Sequence, residues 1–208
     1  MAGKGERTRA RIVERSAALM NHRGFSAASM AAVVAAAGIQ KGGLYRHFES
    51  REALAAEAFE FAVAQVRDRF VRALEGKHGA GAQLLALLDA YDGAGTDVPL
   101  AGGCPIMNTA IESDHADPAL HARARAAMEG WRSMISAIVA RGLRRGELRA
   151  GIDVGAIASI FIACIEGGVM LTQLYGDAAH LSAALGHLRR YVSRELYVAT
   201  ASATKEPS

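Results

Sequence analysis

Apolar residues recur at helical spacing along nearly the whole chain, and no alternating run is long enough to read as a strand. Ile12, Val13, Ala17, Leu19 and Met20 form a stripe opposite arginines, predicting a helix from about Thr8 to Asn21 with Gly24 as its stop. Ser29 can cap a second, shorter helix through Met30–Ala37, with Met30, Val33 and Val34 inward and Gly38 breaking it. A third runs through Lys41–Phe48, where Leu44 and Phe48 are the buried pair four residues apart. Ser50 then caps a long fourth helix, in which Leu54, Ala58, Phe61, Ala62 and Phe70 keep helical spacing.

The segment "EGKHGAG" (75–81) reads as a hinge, followed by a helix at 82–91 and a Gly-rich loop "DGAGTDVPLAGG". A helix starts near Pro105. Asp117 and Pro118 form an N-cap and N1 pair for a strong amphipathic helix, whose face holds Leu120, Ala124, Met128, Trp131, Ile135 and Ile138. Asp153 caps the apolar helix "GAIASIFIACIEGGVML" (155–171), and Asp177 caps a last helix with Leu181, Leu185, Leu188, Val192 and Leu196 on one side. The apolar helix falls just short of a bilayer span and carries Glu166 at its middle, so a buried or interface helix is expected and no membrane partner. The tail 201–208 is expected to be disordered.

Composition agrees with an all-α chain: alanine is abundant and prolines number four. The formal net charge is +3, unevenly spread. Residues 1–51 hold nine Lys and Arg against three Glu, a net +6, leaving fifteen basic against eighteen acidic residues, a net −3, for the remainder. A basic first quarter on an acidic body suggests a module that faces a polyanion. The two cysteines, Cys104 and Cys164, have neither metal spacing nor the pattern of a disulfide framework, which points to a reducing, cytoplasmic setting.

The stretch "GIQKGGLYRHFES" (38–50) concentrates chemistry on a short helix. Two short helices separated by a Gly turn spell a helix-turn-helix, with the second placed to enter a major groove. Gly42 and Gly43 each cost about 1 kcal/mol of helix propensity relative to Ala, which makes sense if this turn must come very close to a sugar–phosphate wall or a base edge. Gln40 can pair bidentately with adenine, and Lys41 can reach guanine acceptors or a phosphate. Tyr45, Arg46 and His47 project from the next turn, and Arg51 beside the Ser50 cap suits a phosphate.

The stretch "GFSAASMAAVVAAAGIQKGGLYRHFESREAL" resembles the N-terminal signature of the tetracycline-repressor-like (TetR/AcrR) regulators, in which a Gly-aromatic pair precedes the helix-turn-helix and "AGVSKGTLYHHF" closes it. Gly24, Phe25, Ala37, Gly38, Lys41, Gly42, Leu44, Tyr45, His47, Phe48 and Ser50 stand at matching positions, over roughly residues 8–60. The resemblance implies an all-helical homodimer of about nine helices: a DNA-binding domain at 1–52, then a ligand-binding and dimerisation domain at 53–200. It implies operator DNA bound by the first and released when a small apolar or amphipathic molecule enters the second, with no cofactor. By position Ser29 would cap its helix and touch phosphate, and Lys41, Gly42, Tyr45 and His47 would contact DNA. The chain departs from the pattern at Gln40 and Gly43, which replace hydroxyl residues, and at Ala31, where some members carry a polar base reader. Base reading therefore leans on Gln40, Lys41 and Arg46.

For the acidic body two uses are expected. The last two helices are the candidate dimer interface through Ile157, Gly167, Gly168, Leu174, Leu181, Leu185, Leu188 and Val192, with the glycines allowing close approach. Adaptable or large apolar side chains (Met107, Met128, Trp131, Met134, Phe161 and Met170) and polar groups beside them (Cys104, Asn108, Glu112, Glu166 and Gln173) are candidates for an effector cavity. Two other chemistries compete. Cys104 in "AGGCPI" could be a redox-sensing thiol, its pKa lowered by the helix start. The acidic and imidazole groups of "ESDHADPALH" could serve a helical enzyme or a metal site, although no HExxH spacing accompanies them and Asp117–Pro118 already reads as a helix start.

Overall fold

The computed structural model describes residues 3–25, 27–91, 102–113 and 117–198. Most of the Gly-rich loop and the C-terminal tail lie outside them. Among the described residues nine α-helices follow in order: α1 (Lys4–Arg23), α2 (Met30–Ala37), α3 (Lys41–Tyr45), α4 (Arg51–Leu74), α5 (Ala80–Asp89), α6 (Pro105–Ser113), α7 (Pro118–Arg144), α8 (Val154–Tyr175) and α9 (Ala179–Tyr191). A π-helical turn, Val192–Leu196, extends α9. The described residues hold no strand; an isolated β-bridge pairs Leu148 with Tyr197.

The short-range caps form as the side chains dictate. Ser29 accepts from the Ala32 N–H, Ser50 from Ala53, Asp117 from Leu120, and Asp153 from Gly155 and Ala156. Three ends differ from expectation. Helix α1 begins four residues before Thr8, because Glu6 accepts the Gly3 N–H at 2.7 Å and so satisfies an end group. Helix α3 stops at Tyr45, and Phe48 is buried from the turn that follows. Helix α5 starts at Ala80 because Glu147, far away in sequence, accepts the Ala80 N–H.

Two apolar cores result. The first joins Ile12, Met20, Phe25, Val33, Leu44, Phe48, Leu54 and Phe59 and borrows Leu120 and Ala124 from α7. The second joins Val66, Phe70, Leu84, Leu88, Tyr91, Trp131, Ile135, Phe161, Ile165, Leu185 and Leu188. Helix α4 contributes to both, Leu54–Ala62 to one and Val66 and Phe70 to the other. It is one continuous rod between the basic head and the acidic body. Helix α8 is long and apolar enough to cross a membrane by length and composition, and here it packs against α7 and, most extensively, α9.

Candidate nucleic-acid interface and effector cavity

The head presents α3 on a rigid base. Gly38 takes a left-handed conformation (φ 63°), which closes α2 and turns the chain into α3. Leu44 and Phe48 sink into the first core, so the opposite side of α3 faces outward. Gln40, Lys41, Gly42, Tyr45 and Arg46 are exposed, and Gly43 and His47 are half-buried. Arg9 of α1 lies over the Phe48 ring at 4.8 Å and pairs with Glu57 of α4, fixing the end of α3 against its scaffold.

Gly42 and Gly43 need no glycine for the protein's own sake. Neither has a positive φ, and a Cβ on either would meet nothing within 4 Å. Two poor helix residues therefore occupy a helix start where alanine would fit and be more stable. The space they leave open is outside the protein.

Arg51 has a different place from the one its neighbours suggested. Its Nε donates to the Ala28 carbonyl at 3.2 Å and one terminal nitrogen donates to the Phe25 carbonyl at 2.8 Å. The guanidinium clamps the chain entering α2, so its first role is to position the head, and the expected phosphate contact gives way to it.

The head meets the body along a seam that the sequence did not reveal. Glu112, on α6, accepts the backbone N–H of Phe25 at 2.7 Å and of Ala27 at 2.9 Å. Asn21 of α1 donates to the Gly103 carbonyl at 3.0 Å, and Asn108 of α6 donates in return to the Asn21 carbonyl at 3.4 Å. The fit is tight. A Cβ on Gly24 would stand 2.6 Å from the Glu112 carboxylate, and one on Gly102 would stand 2.7 Å from the Asn21 carbonyl oxygen. Glu112 and Asn108, expected beside a ligand, are thus committed to the seam. Asp117 is a helix cap, and Asp114 and His115 lie outside the described residues. Among the described residues no three His, Cys, Asp or Glu side chains gather as metal ligands.

In the body, α4, α6 and α7 enclose an apolar cleft of about 320 Å³ lined by Val63, Val66, Arg67, Phe70, Ile106, Ala127, Gly130, Trp131 and Met134. Trp131 and Met134 were expected there; the α4 residues and Ile106 were not, because their spacing reads equally as core. Phe70 stacks on Trp131 at 5.5 Å and contacts Tyr91 at 5.8 Å between ring centres. Tyr91, Cys104 and Glu166 lie close enough to influence one another's ionisation. Burial pushes the Glu166 carboxyl up to about 7, and the Cys104 thiol offsets part of that rise. Neither Glu166 oxygen reaches hydrogen-bond geometry with any described residue. Burial, then the Glu166 charge, drives the Cys104 thiol well above the ordinary thiol range, the reverse of what a reactive sensor thiol requires.

The remaining candidates divide differently from expectation. Met107 and Met128 are half-buried and Phe161 is wholly enclosed in the second core. Met170 and Gln173 are exposed on α8 and are not on the lining of this cleft, Gln173 standing beside Gly103. Of the expected interface residues, Ile157, Leu181, Leu185, Leu188 and Val192 are buried within the chain's own core. Gly168 is used there too: its Cβ would meet Ala184 and Leu181 of α9 at 3.0 to 3.1 Å. Gly167, with open space before it, and Leu174, which is 70% exposed, remain on the outer side.

Comparison with known proteins agrees with this architecture. Residues 12–58 match the family described as bacterial regulatory proteins, tetR family, and residues 80–188 match the tetracyclin repressor-like C-terminal domain. A TetR transcriptional regulator from Chloroflexus aurantiacus J-10-FL is 42% identical and superposes with a TM-score of 0.90, covering 94% of this chain and 99% of that one. A TetR-family regulator from Cytophaga hutchinsonii is 28% identical with a TM-score of 0.87, covering 96% and 100%. The HTH-type transcriptional repressor DhaR of Mycobacterium sp. (strain GP1) is 24% identical over 166 residues, 80% of this chain and 82% of its own length. With both halves of the chain matched and a relative 42% identical over nearly its whole length, the chain belongs to the TetR family of bacterial transcriptional regulators.

Proposed function

We propose that this protein is a cytoplasmic, homodimeric repressor that binds a palindromic operator through α3 and releases it when a small apolar or amphipathic molecule occupies the cleft between α4, α6 and α7. The observation that carries the DNA reading is the pair Gly42 and Gly43, which the protein's own packing does not require and which a groove wall would. Gln40, Lys41 and Arg46 then read bases, Ser29, Tyr45 and His47 contact the backbone, and Arg51 holds the head in place behind them.

Dimerisation follows from α8. Ile160, Cys164, Gly167, Leu171 and Leu174 recur every three or four residues on its uncovered side, with Ile160 and Leu174 exposed. A symmetry mate laid on this stripe would cover it and present two α3 helices roughly 34–36 Å apart, one turn of DNA. Release is a population shift. Val63, Val66 and Phe70 of α4 and Ile106 of α6 line the cleft, and both helices lead to the head, α6 through Glu112. A ligand that favours a different separation of α4 and α6 favours a different setting of the two heads.

Selection of bound duplexes from a random pool tests this reading. The expected result is an inverted repeat bound by a dimer, with affinity falling steeply as salt rises. A pool that enriches no duplex at low ionic strength overturns it.

A further inference from the structure

We propose that the effector is a compact organic cation, an amine on an apolar body, whose nitrogen is held by the Glu166 carboxylate. This deepens the reading of the body as an effector-binding domain and rests on it. Glu166 sits at the middle of α8, 7% exposed, with both oxygens unpartnered among the described residues. A carboxyl group so placed destabilises the empty protein, and the Cys104 thiol beside it offsets only part of that cost. The polar groups beside it, Tyr91 and Cys104, are neutral weak acids that bring no positive charge. The missing partner is an N–H donor, best a charged one.

The surroundings of the carboxylate narrow the class further. Phe70 is the shared wall: it lines the cleft and touches both Trp131 and Tyr91. Aromatic rings near a buried carboxylate are the pair of features that recognise an ammonium group. The cleft itself is almost wholly apolar and takes the hydrocarbon part of the ligand; Glu166 is not on its lining, so the nitrogen reaches it only when Phe70 or Tyr91 turns aside. Arg67, the one cation on its lining, is 72% exposed at the rim and turned toward Asp68, so it does not neutralise the interior. An anionic ligand of the same shape would meet Glu166 as a like charge.

Three probes of one shape separate the possibilities: 4-phenylbutylamine, 4-phenylbutanol and 4-phenylbutyrate, titrated calorimetrically into the full-length protein. The amine is expected to bind at least about tenfold more tightly than the alcohol, with the carboxylate weakest. In Glu166→Gln, which keeps the shape, the amine should fall to the level of the alcohol. Equal binding of amine and alcohol to the unaltered protein, tightest binding of the carboxylate, no binding of any probe, or a preference for the amine that survives in Glu166→Gln each overturns the proposal. The first three outcomes need no variant. Operator binding by the ligand-free protein is measured in parallel: its loss would remove the regulator reading, while amine selectivity would stand or fall separately.

Discussion

The Glu112 carboxylate on α6 accepts the backbone N–H of Phe25, the residue that enters the DNA-binding head's helix-turn-helix, at 2.7 Å. The same carboxylate takes the Ala27 N–H at 2.9 Å. A single side chain therefore ties two backbone groups of the part that would read DNA to the part that would sense a ligand. Glu112→Ala leaves two backbone donors without their acceptor, and its expected cost is about 2 kcal/mol of unfolding free energy. Operator affinity should fall with it and respond less to effector. Gly24→Ala gives an independent route to the same result, because its Cβ would stand 2.6 Å from Glu112 and force the carboxylate away. Urea titration and operator binding of both variants check this; a Glu112→Ala protein that kept its effector response would show that α6 does not transmit it.

Replacing Gly42 or Gly43 by Ala should move stability and function in opposite directions. Both sites are helical, neither has a positive φ, and the added methyl meets nothing in the protein. The melting free energy should rise by about 0.5 to 1 kcal/mol per site. DNA affinity should fall at least about tenfold, since the methyl would occupy the space left for the duplex. A more stable variant with unchanged DNA binding would remove α3 from the groove.

What was legible in the sequence was local. Ser29, Ser50, Asp117 and Asp153 each cap a helix two or three residues ahead, so spacing alone located those helix starts. Glu112, Asn21, Asn108, Arg51 and Glu147 act on backbone groups contributed by distant segments, and no periodicity records such contacts. The stripe Leu181, Leu185 and Leu188 reads as a dimer interface from its one-sidedness, but an amphipathic pattern does not say what covers it. Within this chain the second core covers it. The outer stripe of α8 was harder to see, because that helix is apolar nearly all round and offers no contrast between its faces. The apolar cleft between α4, α6 and α7 was half visible for the same reason: Trp131 and Met134 stood out by size and type, whereas Val63, Val66 and Ile106 look like any other core positions.

Glu166 should make the protein less stable as the solution becomes more alkaline. Its carboxyl is raised from 4.5 to about 7 in the folded chain, so between these values the folded state keeps a proton that the unfolded state has lost. Stability from this group is complete below pH 4.5 and is lost as the pH rises through about 7, by up to about 3 kcal/mol. Glu166→Gln removes the titration. Urea midpoints at pH 5.5 and pH 8 should differ more in the unaltered protein than in the variant, with the variant the more stable at pH 8. Parallel behaviour of the two would place Glu166 in a wetter site than the structure shows.

The outer stripe of α8 makes a prediction that separates assembly from folding. Leu174 is 70% exposed, so a charge there meets only water in an isolated chain. Leu174→Asp should leave the fold intact and give a monomer by light scattering, since a symmetric interface would meet two such charges at once. Leu185 lies 2% exposed on the neighbouring helix, within the chain's own core. Leu185→Asp should cost at least about 3 kcal/mol and lose folded protein at any concentration. If two α3 helices are needed to span an operator, the Leu174→Asp monomer should also bind DNA far more weakly than the dimer while retaining its helical circular dichroism. A Leu174→Asp protein that remained dimeric would move the interface off this stripe.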